Sequence, residues 1–235
     1  MTSGRSLLLI ADIGGYTEYM RTHRMSLAHA EVNTARLLEK VVDAVPDFDL
    51  VEIEGDAAFL SHSSDSDCDL SRTLDAATAM HRAFHVERQY VATNLCPCKA
   101  CHEANNLKLK FVAHIGEVAT QTIREHRKLV GIDVILVHRM LKNPVDLPEY
   151  VLVSEDLYRT CEAPMPGAAL EVSQDVEGIG PVRSYAVDLA DLPSPGPPPA
   201  TPTFGVRVGK TLGVAGAGLP YMLGLRRRRR TPSTV

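Results

Sequence analysis

Residues 7–11, Leu-Leu-Leu-Ile-Ala, form an unbroken apolar run that stops on a charge, Asp12, with Gly14 and Gly15 close behind. A short apolar run without alternation fits a strand buried on both faces. A carboxylate at its end stands where a dry sheet meets water. Left uncompensated, that charge is costly, so a cation or an unpaired backbone N–H is its natural partner.

The rest of the chain supplies elements to surround such a strand. Residues 26–45 carry apolar side chains at helical spacing (Leu27, Ala30, Leu37, Leu38, Val41, Val42, Val45), with Ser26 as a cap and Pro46 as a stop. Residues 49–62 read as a tight hairpin turning at Glu54, Gly55 and Asp56. A long helix is expected over 72–94, and one long or two short strands over 107–123. Residues 131–143 fit either a strand, by their β-branched content, or a helix, by the spacing of Val134, Val137, His138 and Leu141. A strand over 149–154, a short helix after it and a closing hairpin over 169–189 complete the order. That order describes an α/β (α+β) sandwich, with helices packed on a mostly antiparallel sheet.

Residues 1–191 are expected to form one domain, 192–203 a Pro-rich linker and 204–235 an apolar-basic tail. The net charge of −4 gives no electrostatic case for a nucleic-acid partner. No secretory signal or membrane-spanning run is visible. The five cysteines, three of them within residues 96–101, read as a reduced, cytoplasmic protein without a disulfide framework.

Asp12 and Asp56 each end a strand or sit in a hairpin turn beside glycine. If their strands are neighbours, both carboxylates project from one end of the sheet and repel, and a divalent cation relieves the repulsion. Hard cations such as Mg²⁺ favour one or two carboxylates with phosphates completing the shell. Plain turn chemistry and helix capping account for the same residues without a metal.

Five stretches, in order, resemble the class III nucleotidyl (adenylate/guanylate) cyclases. They are "ADIGGYTEY" (11–19), "EIEGDAAFL" (52–60), "KFVAHIGEV" (110–118) with His114 and Gly116, "LVGIDVILVHRMLKN" (129–143) with Gly131, Val134 and Arg139, and "VEGIGPVRSYAVD" (176–188). The resemblance implies a ferredoxin-like βαββαβ core and a head-to-tail homodimer with composite sites. It implies Mg²⁺ or Mn²⁺ on Asp12 and Asp56, and a purine nucleoside triphosphate converted to a 3′,5′-cyclic nucleotide and pyrophosphate by a phosphorus-oxygen lyase. Ile13, Gly14, Gly15, Tyr16 and Thr17 would line the nucleotide, Glu52 and Lys128 would face its base, and Arg139 would hold a phosphate across the dimer.

The sequence also departs from that family. The ribose-orienting asparagine is replaced by Ile135, which donates nothing, and the phosphate-binding lysine by Glu177, which repels a triphosphate. Glu52 matches the guanine-selecting choice, whereas Lys128 matches neither usual pattern. Lys128 and Lys142 are the cations available as replacements near the phosphates. The alternative reading is a catalytically degenerate nucleotide- or metal-binding dimerisation module, because a fold does not fix an activity.

Three further features stand apart. Cys96, Cys98, Cys101 and His102 offer ligand types suited to a structural Zn²⁺, with His85 as a substitute ligand; a reduced thiol cluster is the plain alternative. His114 reads as a satisfied core histidine; His81 and His85, one turn apart, are spaced so that they can chelate, with a solvated helix face as the commoner reading. Arg226–Arg230, beside the Gly-rich apolar stretch 211–225, would draw the tail weakly to anionic lipid as a peripheral membrane contact; a disordered basic tail is the plainer reading.

Overall fold

Strand β1 (Ser3–Gly14) runs through the middle of the sheet and serves two cores at once. Leu7, Leu9, Ala11 and Ile13 enter one core and Leu8 and Ile10 the other, none more than 1% exposed. Both faces are dry, so the sequence shows no alternation there. The computed structural model describes residues 3–22, 27–64, 68–95, 99–161, 167–192 and 205. Cys96, Cys98 and, Leu192 and Gly205 apart, the linker and tail lie outside these residues.

After β1 come α1 (Tyr16–Thr22), α2 (Leu27–Asp43), β2 (Asp49–Glu54), β3 (Ala57–Ser63), α3 (Asp69–Asn94) and α4 (Lys99–Glu103). Then follow β4 (Lys108–Ile123), β5 (His126–Val130), α5 (Ile132–Met140), β6 (Tyr150–Ser154), α6 (Glu155–Tyr158), β7 (Leu170–Val176) and β8 (Gly180–Asp188). The sheet order is β2-β3-β1-β4-β6-β8-β7, with β5 paired to β4 off that path. Among the described strands only β4 and β6 pair in parallel. The order β4-β1-β3-β2 around α2 and α3 is the expected ferredoxin-like unit, and the whole is an α+β sandwich.

Helices α2 and α3 cover one face with Leu37, Val41, Met80 and Phe84, while α5 covers the other with Leu136, Val137 and Met140. Arg36 fastens α2 to α3 through Glu87, its Nε donating to Oε1 at 2.9 Å. Residues 131–143 thus resolve in favour of helix. Residues 108–123 form a single strand, and α1, α4 and β5 were not expected from the sequence. No helix of the described residues is long and apolar enough to cross a membrane.

A clasp holds α5 to β4. His114 is 1% exposed, with Nδ1 at 2.8 Å from Ser154 Oγ and Nε2 at 3.1 Å from Asp133 Oδ1. Both ring nitrogens are satisfied, as a core histidine requires. Asp133 Oδ2 accepts from the Glu117 N–H at 2.7 Å. Gly116 leaves room for this, since a Cβ there would lie 2.2 Å from Asp133 Cγ. Gly131 takes φ 151°, and a Cβ on it would lie 2.9 Å from the Glu117 carbonyl oxygen. The clasp fixes the first turn of α5 and with it the course of the helix that carries Arg139.

One expectation is overturned. Cys68 and Cys161 form a disulfide, their Cα atoms 4.8 Å apart although 93 residues separate them. The fold brings the start of α3 against the end of the α6 turn, where Thr160 Oγ1 also accepts from the Leu70 N–H at 3.1 Å. Local spacing carries no trace of that approach. Closing so long a loop removes up to about 4–5 kcal/mol of unfolded-state entropy.

Gly116→Ala should lower stability by about 1–3 kcal/mol in urea unfolding, because the new methyl displaces Asp133 from its clasp. Gly4→Ala is the control, since its Cβ would meet nothing within 4 Å.

Candidate metal and nucleotide site

The β1–β3 register sets Asp12 opposite Ala57, the residue after Asp56. The turn between β2 and β3 is closed by Gly55 at φ 65°, a value that suits glycine. The Ile13 N–H donates to the Asp56 carbonyl oxygen at 3.1 Å. The two aspartates therefore share one rim. Burial, then the charge of Asp56, push the Asp12 carboxyl up to about 6, against the opposing pull of Lys110. Lys110 stands directly across from Asp12 on β4, so it is the cation that the strand-end carboxylate called for. Asp56 is raised as well, by burial.

The loop after β1 wraps this rim. Ile13 is core, and Gly14 packs so closely that a Cβ would sit 3.2 Å from Lys110 Cε. Gly15 takes φ 83°, and its carbonyl accepts from the Tyr19 N–H at 3.0 Å, which starts α1. Tyr16 is half-buried, its hydroxyl pushed up by burial and then by Asp56 and Glu31. Thr17 is exposed. Tyr150 of β6 borders the same rim; burial and the charge of Asp12 raise its hydroxyl, which donates to Asn143 Oδ1 at 3.0 Å.

The residues assigned to base and phosphate are paired with other charged groups of the chain. Lys128 of β5 reaches Glu52 of β2 at 3.5 Å, so the two base-facing candidates meet each other, just past a bulge at Leu50 and Glu52. Arg139 lies 3.8 Å from Glu177, and its Nη1 is buried without a hydrogen bond. The two face a cleft that Lys142 and Gln174 also line. Ile135 is 47% exposed on α5.

Of the proposed zinc ligands, Cys101 is buried and in no disulfide, and the Asn33 amide donates to its Sγ at 3.7 Å and to Tyr19 Oη at 3.0 Å. His102, the next residue, is exposed. The other two lie outside the described residues. His81 and His85 do not form a solvated face. Both are half-buried and turn to Glu149, which the sequence reading passed over. Burial opposes the Glu149 charge, yet the two imidazoles and the Leu109 N–H hold its carboxyl well below the usual range. Glu149 precedes a strand and carries no local signal; only the one-turn spacing of the histidines hinted at a third group.

A family described as "Protein of unknown function (DUF2652)" matches residues 34–150. The uncharacterized protein Rv2561/Rv2562 of Mycobacterium tuberculosis is 36% identical over 194 residues, covering 82% of this chain and 90% of that protein. Among solved structures, the guanylyl cyclase Cya2 superposes with a TM-score of 0.61 at 14% identity, over 79% of this chain and 92% of its own. The guanylate cyclase domain of RhGC from Catenaria anguillulae, solved in complex with GTP, gives 0.57 at 16% identity, over 79% and 97%. The adenylyl cyclase CyaB from P. aeruginosa gives 0.51 at 15% identity, over 80% and 95%. At such identities the likeness is one of fold: the chain has the class III cyclase fold in a divergent form.

Because the folded state raises the Asp12 carboxyl, its ionisation costs stability. That cost is absent below pH ~4, grows as pH rises, and is complete above pH ~6. Asp12→Asn should therefore stabilise the metal-free protein by about 1–3 kcal/mol at pH ~7.5 and leave it unchanged near pH ~4, as read by thermal unfolding at both values.

Proposed function

Because this chain belongs to the family of the Mycobacterium tuberculosis protein Rv2561/Rv2562 and has the class III cyclase fold, we propose that it binds a purine nucleoside triphosphate with Mg²⁺ or Mn²⁺ at the Asp12–Asp56 rim, as a homodimer. The observation that carries this reading is the convergence of two carboxylates on one rim, where burial first, and then the charge of Asp56, raises Asp12. A half-buried acidic pair with one nearby lysine is a donor set suited to a hard divalent cation. Bound there, the ion would neutralise phosphate charge and activate the ribose 3′-hydroxyl for attack on the α-phosphate, with release of pyrophosphate.

The chain's own groups take the other roles. Lys110 beside Asp12 is placed to meet a phosphate oxygen once the ion has taken over the carboxylates. Glu52 would accept from the N–H groups of a purine edge after parting from Lys128. Arg139 would exchange Glu177 for a phosphate of the partner's nucleotide. Dimerisation is supported by apolar exposure on edge strand β2 (Leu50, Ile53) and on α5 (Ile132, Ile135), each at least 45% exposed.

A second reading is favoured by a specific pairing. Glu177, 96% exposed at the side chain, stands beside Arg139 where the family has a cation, and Ile135 offers no ribose contact. In this reading the domain binds metal and nucleotide without turnover. The residues 192–203 and 204–235 remain a linker and a tail with weak attraction to anionic lipid, and the cysteine loop a zinc clamp; both are proposals.

Titration calorimetry with Mn²⁺ and non-hydrolysable GTP and ATP analogues should show binding to the wild type and loss in Asp56→Ala. No binding to the wild type removes the proposal. Incubation with Mn²⁺ and each ribonucleoside triphosphate then separates turnover, seen as cyclic product absent in Asp56→Ala, from binding alone. Glu177→Lys should tighten nucleotide binding roughly tenfold by removing one repulsive charge and adding an attractive one.

A further inference from the structure

We propose that His81, His85 and Glu149 form a second divalent-cation site, of the Zn²⁺ class, separate from the aspartate pair. The three meet between the middle of α3 and the leading ends of β4 and β6, with their ligand atoms all within 4.8 Å of one another. His85 Nε2 lies 3.0 and 3.1 Å from the two Glu149 oxygens, and His81 Nε2 lies 3.4 Å from Oε2. Zinc bonds of ~2.0–2.1 Å in a tetrahedron space neighbouring ligand atoms by about 3.4 Å. The two imidazole–carboxylate distances are thus close to the spacing a tetrahedral ion imposes, slightly contracted on the His85 side, while the set as a whole spans no more than 4.8 Å.

Three observations favour an ion over a bare hydrogen-bond cluster. His81 Nε2 is buried and makes no hydrogen bond, although it is directed at a carboxylate. A buried ring nitrogen left in that state is a cost unless something fills the gap. Histidines at i and i+4 share one helix face, so the backbone of α3 sets both imidazoles with no loop rearrangement. The carboxylate is held from behind: Oε1 accepts from the Leu109 N–H at 2.9 Å, and the Glu149 carbonyl from the Leu189 N–H at 3.2 Å. Such outer contacts orient metal ligands. The neighbouring cation, Arg88, is directed at the Leu107 carbonyl at 2.6 Å.

Donor chemistry selects the ion. Two imidazoles and one carboxylate suit zinc and its neighbours, whereas Mg²⁺ prefers oxygen ligands and keeps its water. Three protein ligands leave a fourth position for water or an incoming ligand. The site also lies on the other face of the sheet from the aspartates. Side chains alternate along β6: Tyr150 belongs to the core that holds Ile10 and borders Asp12, whereas Glu149 meets α3.

The test uses the full chain in a Cys96→Ser/Cys98→Ser background, which keeps loop thiols out of the reading. After exposure to Zn²⁺ and exhaustive dialysis, this protein should retain about one equivalent per chain, with a raised melting temperature. His81→Gln and His85→Gln should each lower affinity by more than the roughly 10–100-fold that loss of a supporting partner costs. Adding Asp12→Asn should leave uptake unchanged, which keeps this result independent of nucleotide binding. Should the histidine variants not fold, Co²⁺ loaded into the background protein should give visible d–d bands of tetrahedral intensity without a near-ultraviolet thiolate band. Failure to retain zinc, equal retention by folded His81→Gln, loss with Asp12→Asn, or a thiolate band would each overturn the site.

Discussion

Two like charges are held at one rim by a strand register that the cores dictate. β1 feeds alternate side chains into two dry compartments, so a slip of one residue against β3 would exchange Leu7, Leu9 and Ala11 with Leu8 and Ile10 and bury the wrong shapes on both sides. The register is therefore fixed by packing, and the approach of Asp12 to Asp56 comes with it. Burial and then the charge of Asp56 raise the Asp12 carboxyl, and Lys110 opposes both from its cross-strand place. That half-buried pair of carboxylates is the feature on which the proposed cation site rests.

The stretches that resemble the cyclases divide by physical job. His114, Gly116, Gly131 and Asp133 form a clasp that sets α5 against β4, and none of them needs a nucleotide to explain it. The metal chemistry proposed above falls instead to Asp12 and Asp56. Sequence likeness in the clasp therefore speaks for the architecture, and only likeness at the rim speaks for activity. In the pairs Arg139–Glu177 and Glu52–Lys128, the candidate phosphate and base residues face opposite charges of this same chain.

What the sequence disclosed follows the same division. The double-faced strand, the Gly55 hairpin, α2, α3 and the closing hairpin were legible because periodicity, caps and turn residues are local signals. The short helices α1 and α4 and strand β5 were not, since each has too few residues to show a period and is held by its neighbours. The helix α5 was ambiguous because its β-branched residues are overridden by the Asp133 clasp. The disulfide, Lys110 and Glu149 escaped for one shared reason. Each gains its meaning from a partner distant in sequence: 93 residues for Cys68 and Cys161, 64 for His85 and Glu149. Pairing of that range depends on sheet order, which no short window contains.

Glu149 and Tyr150 bring the two polar clusters into one frame. They are consecutive, they stand at the leading end of a strand buried throughout, and they serve opposite faces. The aspartate rim offers hard oxygen donors and borders solvent; the α3 cluster offers imidazole nitrogens in a drier place. By donor type alone an oxygen-seeking ion has reason to choose the first and a nitrogen-seeking ion the second. Because β6 is closed in by β4 and β8, the spacing between the clusters is set by the sheet rather than by either ligand. Occupancy of one then acts on the other only through the few atoms between consecutive residues of a rigid strand, which favours independent filling over coupling.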